Sequence, residues 1–117
     1  MFRFEKLEVW KDAIAYASLV YRVTKSFPDT EKFGLTSQMR RSAVSLPANI
    51  AEGTSRTTDK DFSRFIEIAS GSLMENVSEA LIAREAGFIS APHYTELSTH
   101  AEKLAKMLSG LRSSLVR

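Results

Sequence analysis

The sequence predicts an all-α protein, an antiparallel up-down-up-down four-helix bundle with a proline-bent second helix. Apolar residues recur at three- and four-residue spacing in four separate stretches, and no segment reads as a strand. The stretches are divided by short connections at 28–34, 53–57 and 87–90, rich in the residues that end helices. Connections this short force consecutive helices to lie antiparallel.

The first helix is expected over about 6–26. Trp10, Ala13, Ala17, Val20, Thr24 and Phe27 form its stripe, widened by Val9, Ile14, Tyr16 and Tyr21. Pro28 stops it, because proline disfavours the helical conformation in the residue before it. The second helix is expected over about 35–52, with Leu35, Met39, Ala43, Leu46 and Ile50 inward. Thr36 or Ser37 can satisfy amides at its start, and Gly53 is a natural terminator. The third, about 59–86, opens on Thr58 with Asp61 three residues on, a capping-box pattern. Its stripe is Phe62, Phe65/Ile66, Ala69, Leu73, Val77 and Ala80/Leu81, and it ends at Gly87. The fourth, about 91–116, places Pro92 in its first turn. Tyr94, Leu97, Ala101, Leu104, Leu108, Leu111 and Leu115 then keep a coiled-coil-like seam.

The whole chain, 1–117, suits one domain of ordinary globular composition, with 44% hydrophobic and 26% charged residues. It contains no cysteine, which excludes thiol catalysis, Cys-ligated zinc and a disulfide framework. The charged opening lacks the apolar core of a signal peptide, and no apolar run approaches the ~20 residues that cross a bilayer. A cytoplasmic protein is the expectation. The net charge of +2 is mild, but the first sixty residues carry +3 and the remainder −1. Arg40, Arg41, Arg56, Lys60 and Arg64 are therefore the candidates for contact with nucleic acid.

Candidate chemistry is sparse. His93, Glu96 and His100 share one helical face, but they flank the seam, and bundle metal sites use inward ligands from several helices. Exposed polar residues near a helix start is the reading they receive. Ser72 follows Gly71 without the Gly-x-Ser-x-Gly turn of a nucleophile elbow, so the pair reads as a place of close helix approach. Glu75 and Glu79 lie one turn apart and read as solvated charges or contacts to another subunit. No phosphate loop or nucleotide fingerprint is present, so no enzyme activity and no cofactor are expected. The surplus is apolar: Val9, Ile14, Tyr16, Val44, Ala48, Ile68, Met74, Ile82 and Ala83 lie partly off the main stripes, which points to self-association.

The segment Arg40–Gly53 is the least ordinary. Pro47 removes one helical donor, leaves the Ala43 carbonyl without its usual partner and is expected to bend the helix. Ser42, Ala43, Ala48 and Ala51 keep the backbone close to its neighbours. Asn49 and Glu52 are expected to bond to backbone at the bend or across a subunit boundary.

These residues also carry a family likeness. Phe4, Leu7, Val9, Trp10 and Ala13 resemble the Phe-x-x-Leu-x-Val-Trp-x-x-Ala opening of the four-helix bundle proteins encoded in intervening sequences of bacterial 23S rRNA genes. Val20-Tyr21, Thr24, Phe27-Pro28 and the run Phe33–Ala43 fit the same pattern. So do Ser45–Gly53, with Pro47, Asn49, Glu52 and Gly53, and downstream Phe62, Phe65 and Ala69–Leu73. The resemblance implies a homopentamer around a central channel, with no catalytic residue and no established biochemical role. It also implies kinship with the accessory proteins of diversity-generating retroelements, which bind a reverse transcriptase and nucleic acid. A homo-oligomer that binds RNA or an RNA-associated protein is the expectation, with a purely structural or protein-interaction adaptor as the alternative. No membrane or small-molecule partner is expected.

Overall fold

The computed structural model describes residues 1–116; Arg117, the last residue of the expected domain, lies outside them. The described residues form four α-helices and no strand: α1 (Glu8–Thr24), α2 (Leu35–Thr54), α3 (Asp59–Glu85) and α4 (Ala91–Leu115). Side-chain partners show their directions. Thr24 at the end of α1 meets Arg40 early in α2, while Arg3 ahead of α1 reaches the carbonyl of Thr54 at the end of α2. Ser42 of α2 meets Glu79 and Ser45 meets Ser72, so α3 runs back along α2. Glu67 of α3 pairs with Arg112, and Arg84 covers the Tyr94 ring, so α4 returns along α3.

The ends differ from expectation in instructive ways. The first α-helix starts at Glu8 rather than near Lys6, because Leu7 is extended (φ −81°, ψ 126°). Ahead of it, Arg3–Lys6 form a 3-10 turn. That turn folds the Phe4 ring onto Trp10, centroids 5.0 Å apart, which a continuous helix would not allow. At its other end α1 stops at Thr24, where Phe27 N–H turns back to the Thr24 carbonyl at 3.1 Å. Phe27 is thereby buried against Phe88. The connection expected as plain loop holds a second 3-10 turn, Asp29–Glu31. It brings the Glu31 carboxylate over the start of α2, where Oε1 accepts from Leu35 N–H at 3.1 Å. Glu31, not Thr36 or Ser37, serves this helix start, and its charge suits the positive helix end.

Two glycines take roles other than those the sequence suggested. Gly53 does not terminate α2, which continues to Thr54. It is buried against α3, where a Cβ would lie 2.7 Å from Phe62 Cδ1. Gly71 does not serve close helix approach, since a Cβ there would meet nothing within 4 Å. Gly87 does close α3 as expected, with φ +82°. Phe88 N–H bonds to Ala83 O and Gly87 N–H to Arg84 O, the paired bonds of a Schellman ending.

Pro47 lies inside α2, which is helical on both sides of it. At α3 and α4 the hydroxyls of Thr58 and Ser90 accept from Asp61 and His93 N–H. All four helices feed one apolar core in which Val20, Met39, Leu46, Ile50, Ile66, Leu73, Leu104 and Leu108 are fully buried. Of the surplus apolar residues, Val9, Tyr16 and Ala83 turn inward. Ile14, Val44, Ile68, Met74 and Ile82 stay between 41% and 56% exposed. Full burial of a large apolar side chain is worth about 1.5–3 kcal/mol, so with half of each of these already covered, roughly 1 kcal/mol apiece stays unrealised in the single chain. No described helix is long and apolar enough to cross a membrane.

Candidate functional site

The five basic candidates fall into two groups rather than one. Arg40 and Arg41 sit in the first half of α2; Arg56 follows its end, and Lys60 and Arg64 occupy the first two turns of α3. Arg56 lies fifteen positions after Arg41, about 22 Å along the chain at a helical rise of about 1.5 Å per residue. Their states also differ. Arg40 is half-buried, donates from Nε to Thr24 Oγ1 at 2.9 Å and lies 4.8 Å over the Tyr21 ring. Arg56 pairs with Glu52 at 3.0 Å and lies 4.5 Å over Phe65. Arg41, Lys60 and Arg64 are exposed, with no ion-pair partner among the described residues.

In the proline segment, Asn49 Nδ2 donates to the Ser45 carbonyl at 2.8 Å and to the Ser45 hydroxyl at 3.0 Å. The Ser45 hydroxyl in turn meets Ser72 across the α2–α3 contact at 2.9 Å. Glu52 makes no bond to backbone at Pro47; its partner is the exposed Arg56 one turn on.

The most organised polar feature lies in the core. Tyr16 Oη donates to Asn76 Oδ1 at 2.7 Å. Asn76 Nδ2 donates to the Met39 carbonyl at 2.9 Å and to Ser42 Oγ at 3.0 Å, and Ser42 donates to Glu79 Oε1 at 2.7 Å. Tyr16 and Asn76 are wholly buried and Glu79 is only 8% exposed, so α1, α2 and α3 are joined by one hydrogen-bonded chain inside the apolar cluster. Burial keeps the Tyr16 phenol protonated well above its ordinary range. Glu79 is thus not the solvated outer charge its sequence position suggested. The chain ends at a polar groove of about 490 Å³ between α2 and α3, edged by Gln38, Arg41 and Glu75. The signal was present in the sequence: Asn76 interrupts the Leu73–Ala80 stripe at a core-facing position, and Glu79 follows it at helical spacing.

Burial raises the Glu79 pKa, the Ser42 bond opposes this, and Glu75 adds repulsion. The folded protein therefore holds this proton to higher pH than the unfolded chain does. Stability falls as pH rises from the ordinary value of 4.5 through the raised one. Glu79→Gln, which keeps an acceptor for Ser42, is expected to flatten that fall and raise stability near pH 7. Urea midpoints for both proteins across this range test it; parallel profiles would remove Glu79 as the cause.

The histidines divide. His100 Nε2 lies 3.5 Å from Asp12 and its ring meets Tyr16 edge-on, whereas His93 is exposed at the helix start. Asp12 is further paired with Lys103 at 3.4 Å. No group of three His, Asp or Glu residues among those described is placed to hold a metal ion.

A family model described as 23S rRNA-intervening sequence protein matches residues 5–110. Among solved structures, the fold is similar to a protein of unknown function from the S23 ribosomal protein family of Bacteroides thetaiotaomicron. The similarity has a TM-score of 0.79 at 20% identity, over 89% of this chain and 97% of that one. No curated protein matches the chain.

Proposed function

The chain belongs to the 23S rRNA-intervening sequence protein family, and from that premise we propose a non-enzymatic bundle that assembles with copies of itself, as a pentamer, and binds RNA in the cytoplasm. The observation that supports assembly is the outer side of α3. Ile68 and Ile82 lie two heptads apart and share a face; Met74 and Leu81, one heptad apart, lie about 100° further round the helix at about 3.6 residues per turn, on the other flank of its outer side. All four are 40–56% exposed. Large apolar side chains repeated on one helix favour a symmetric contact between copies over exposure to water. Of the five basic candidates, Arg41, Lys60 and Arg64 have no ion-pair partner among the described residues and are left for phosphate. Three charges hold RNA weakly, but an assembly presents them several times over.

The second reading, a protein-binding adaptor, draws support from Arg40 and Arg56. Both guanidinium groups already lie over aromatic rings of their own chain, which leaves fewer free for phosphate.

Solution mass and RNA binding test the proposal together. The native protein is expected at five times its 13.1 kDa chain mass. Ile68→Ser with Ile82→Ser is expected to shift it to the monomer while its helical content stays. Binding to structured rRNA fragments is expected to weaken steeply with added salt. A native monomer at high concentration overturns the assembly; an intact assembly that ignores rRNA at low salt leaves the adaptor.

A further inference from the structure

We propose that the groove between the end of α1 and the start of α2 holds one unpaired nucleotide of the RNA, with its base stacked on Phe33; this rests on the RNA reading above. The open groove has a volume of about 630 Å³ and is lined by Tyr21, Lys32, Phe33, Arg40, Arg41 and Val44. Three cations face it and no carboxylate lines it. The nearby Glu31 carboxylate is turned to the Leu35 amide.

Phe33 is the unusual member. It stands 90% exposed in the turn before α2. The Lys32 ammonium lies 5.5 Å from its ring centroid. A phenyl ring held in water beside cations offers what a single-stranded nucleotide needs: a flat apolar face for the base and charge for the phosphate. Another part of the lining is preset. Arg40 is anchored through Nε to Thr24 at 2.9 Å and lies 4.8 Å over Tyr21, so a guanidinium–aromatic platform exists before any ligand arrives. Lys32 and Arg41 remain for the phosphates on either side. A duplex keeps its bases stacked inside and cannot present one to Phe33, so the site selects unpaired RNA.

The test uses the full-length protein and a labelled 12-nucleotide single-stranded RNA at low salt, with an RNA duplex of the same sequence alongside. The single strand is expected to bind more tightly than the duplex. Phe33→Ala is expected to weaken it about tenfold, within the range for losing one stacked base. Phe33→Trp is expected to restore binding, and neither variant to change the melting temperature or assembly mass. If the native protein binds single strands and Phe33→Ala binds equally well, the groove inference falls while RNA binding stands. Equal or tighter binding of the duplex also overturns it. A Phe33→Ala protein that loses its assembly places the ring between subunits and overturns it too. Failure of the native protein to bind either RNA removes both readings.

Discussion

Asn76→Ala is expected to lower stability by about 3 kcal/mol, the largest effect of any single polar substitution in this protein. The Asn76 side chain is wholly buried and joins three helices through bonds of 2.7–3.0 Å to Tyr16, Met39 and Ser42. Alanine leaves the Tyr16 hydroxyl, also wholly buried, without an acceptor. An orphaned buried donor costs about 1–3 kcal/mol, and the vacated volume adds to it. Domains of this size are stable by about 5–15 kcal/mol, so the variant folds with a thin margin. The midpoint of thermal unfolding should drop by about 10 °C. A double-mutant cycle identifies the cause. Tyr16→Phe removes the orphaned donor, so adding it to Asn76→Ala should cost less than adding it to the native protein. Strict additivity would show that the Tyr16–Asn76 bond contributes nothing, and an unchanged midpoint would remove Asn76 as a structural link altogether.

That residue also marks how far the sequence could be read. The four helices and most of their inward stripes were legible because three-four periodicity is a property of each segment alone, although Tyr21 and Leu81, read into the stripes, stay exposed. Leu97, Ala101, Leu104 and Leu108 needed no partner to be identified as core. The family likeness was legible from contiguous residues around Pro47, independent of any packing. Connectors were harder, because Phe4 against Trp10 and Glu31 at Leu35 are choices made by local side-chain contacts. The polar chain was harder still. Asn76 breaks its stripe visibly, but its partners Tyr16 and Ser42 come from two other helices, and no spacing within α3 points to them. The basic residues show the same limit in reverse. Arg41 and Arg56 look adjacent in a reading by composition, yet about four turns of helix separate them.

Gly53 draws the line between propensity and packing most sharply, and two alanine substitutions should resolve it with opposite signs. Judged by helix propensity, either Gly53→Ala or Gly110→Ala should stabilise by about 1 kcal/mol, since glycine inside a helix is the poorer former. At Gly110 a Cβ meets nothing within 4 Å, so that gain is expected in full. At Gly53 the same methyl would stand 2.7 Å from Phe62 Cδ1 and 2.9 Å from Phe65 Cβ. A ring can rotate, but a Cβ moves only with its backbone, so α2 and α3 must separate. Their contact also holds Ser45 to Ser72 and Ser42 to Glu79. The Phe62 ring further carries the Arg3 guanidinium at 5.3 Å, so any shift is felt at the N-terminal turn. Overpacking of this kind costs about 1–3 kcal/mol, enough to reverse the propensity gain. Gly53→Ala should therefore unfold at lower urea concentration than the native protein and Gly110→Ala at higher. If both shift upward, the helices can part without loss, and the closeness of α2 to α3 is not what glycine at 53 secures.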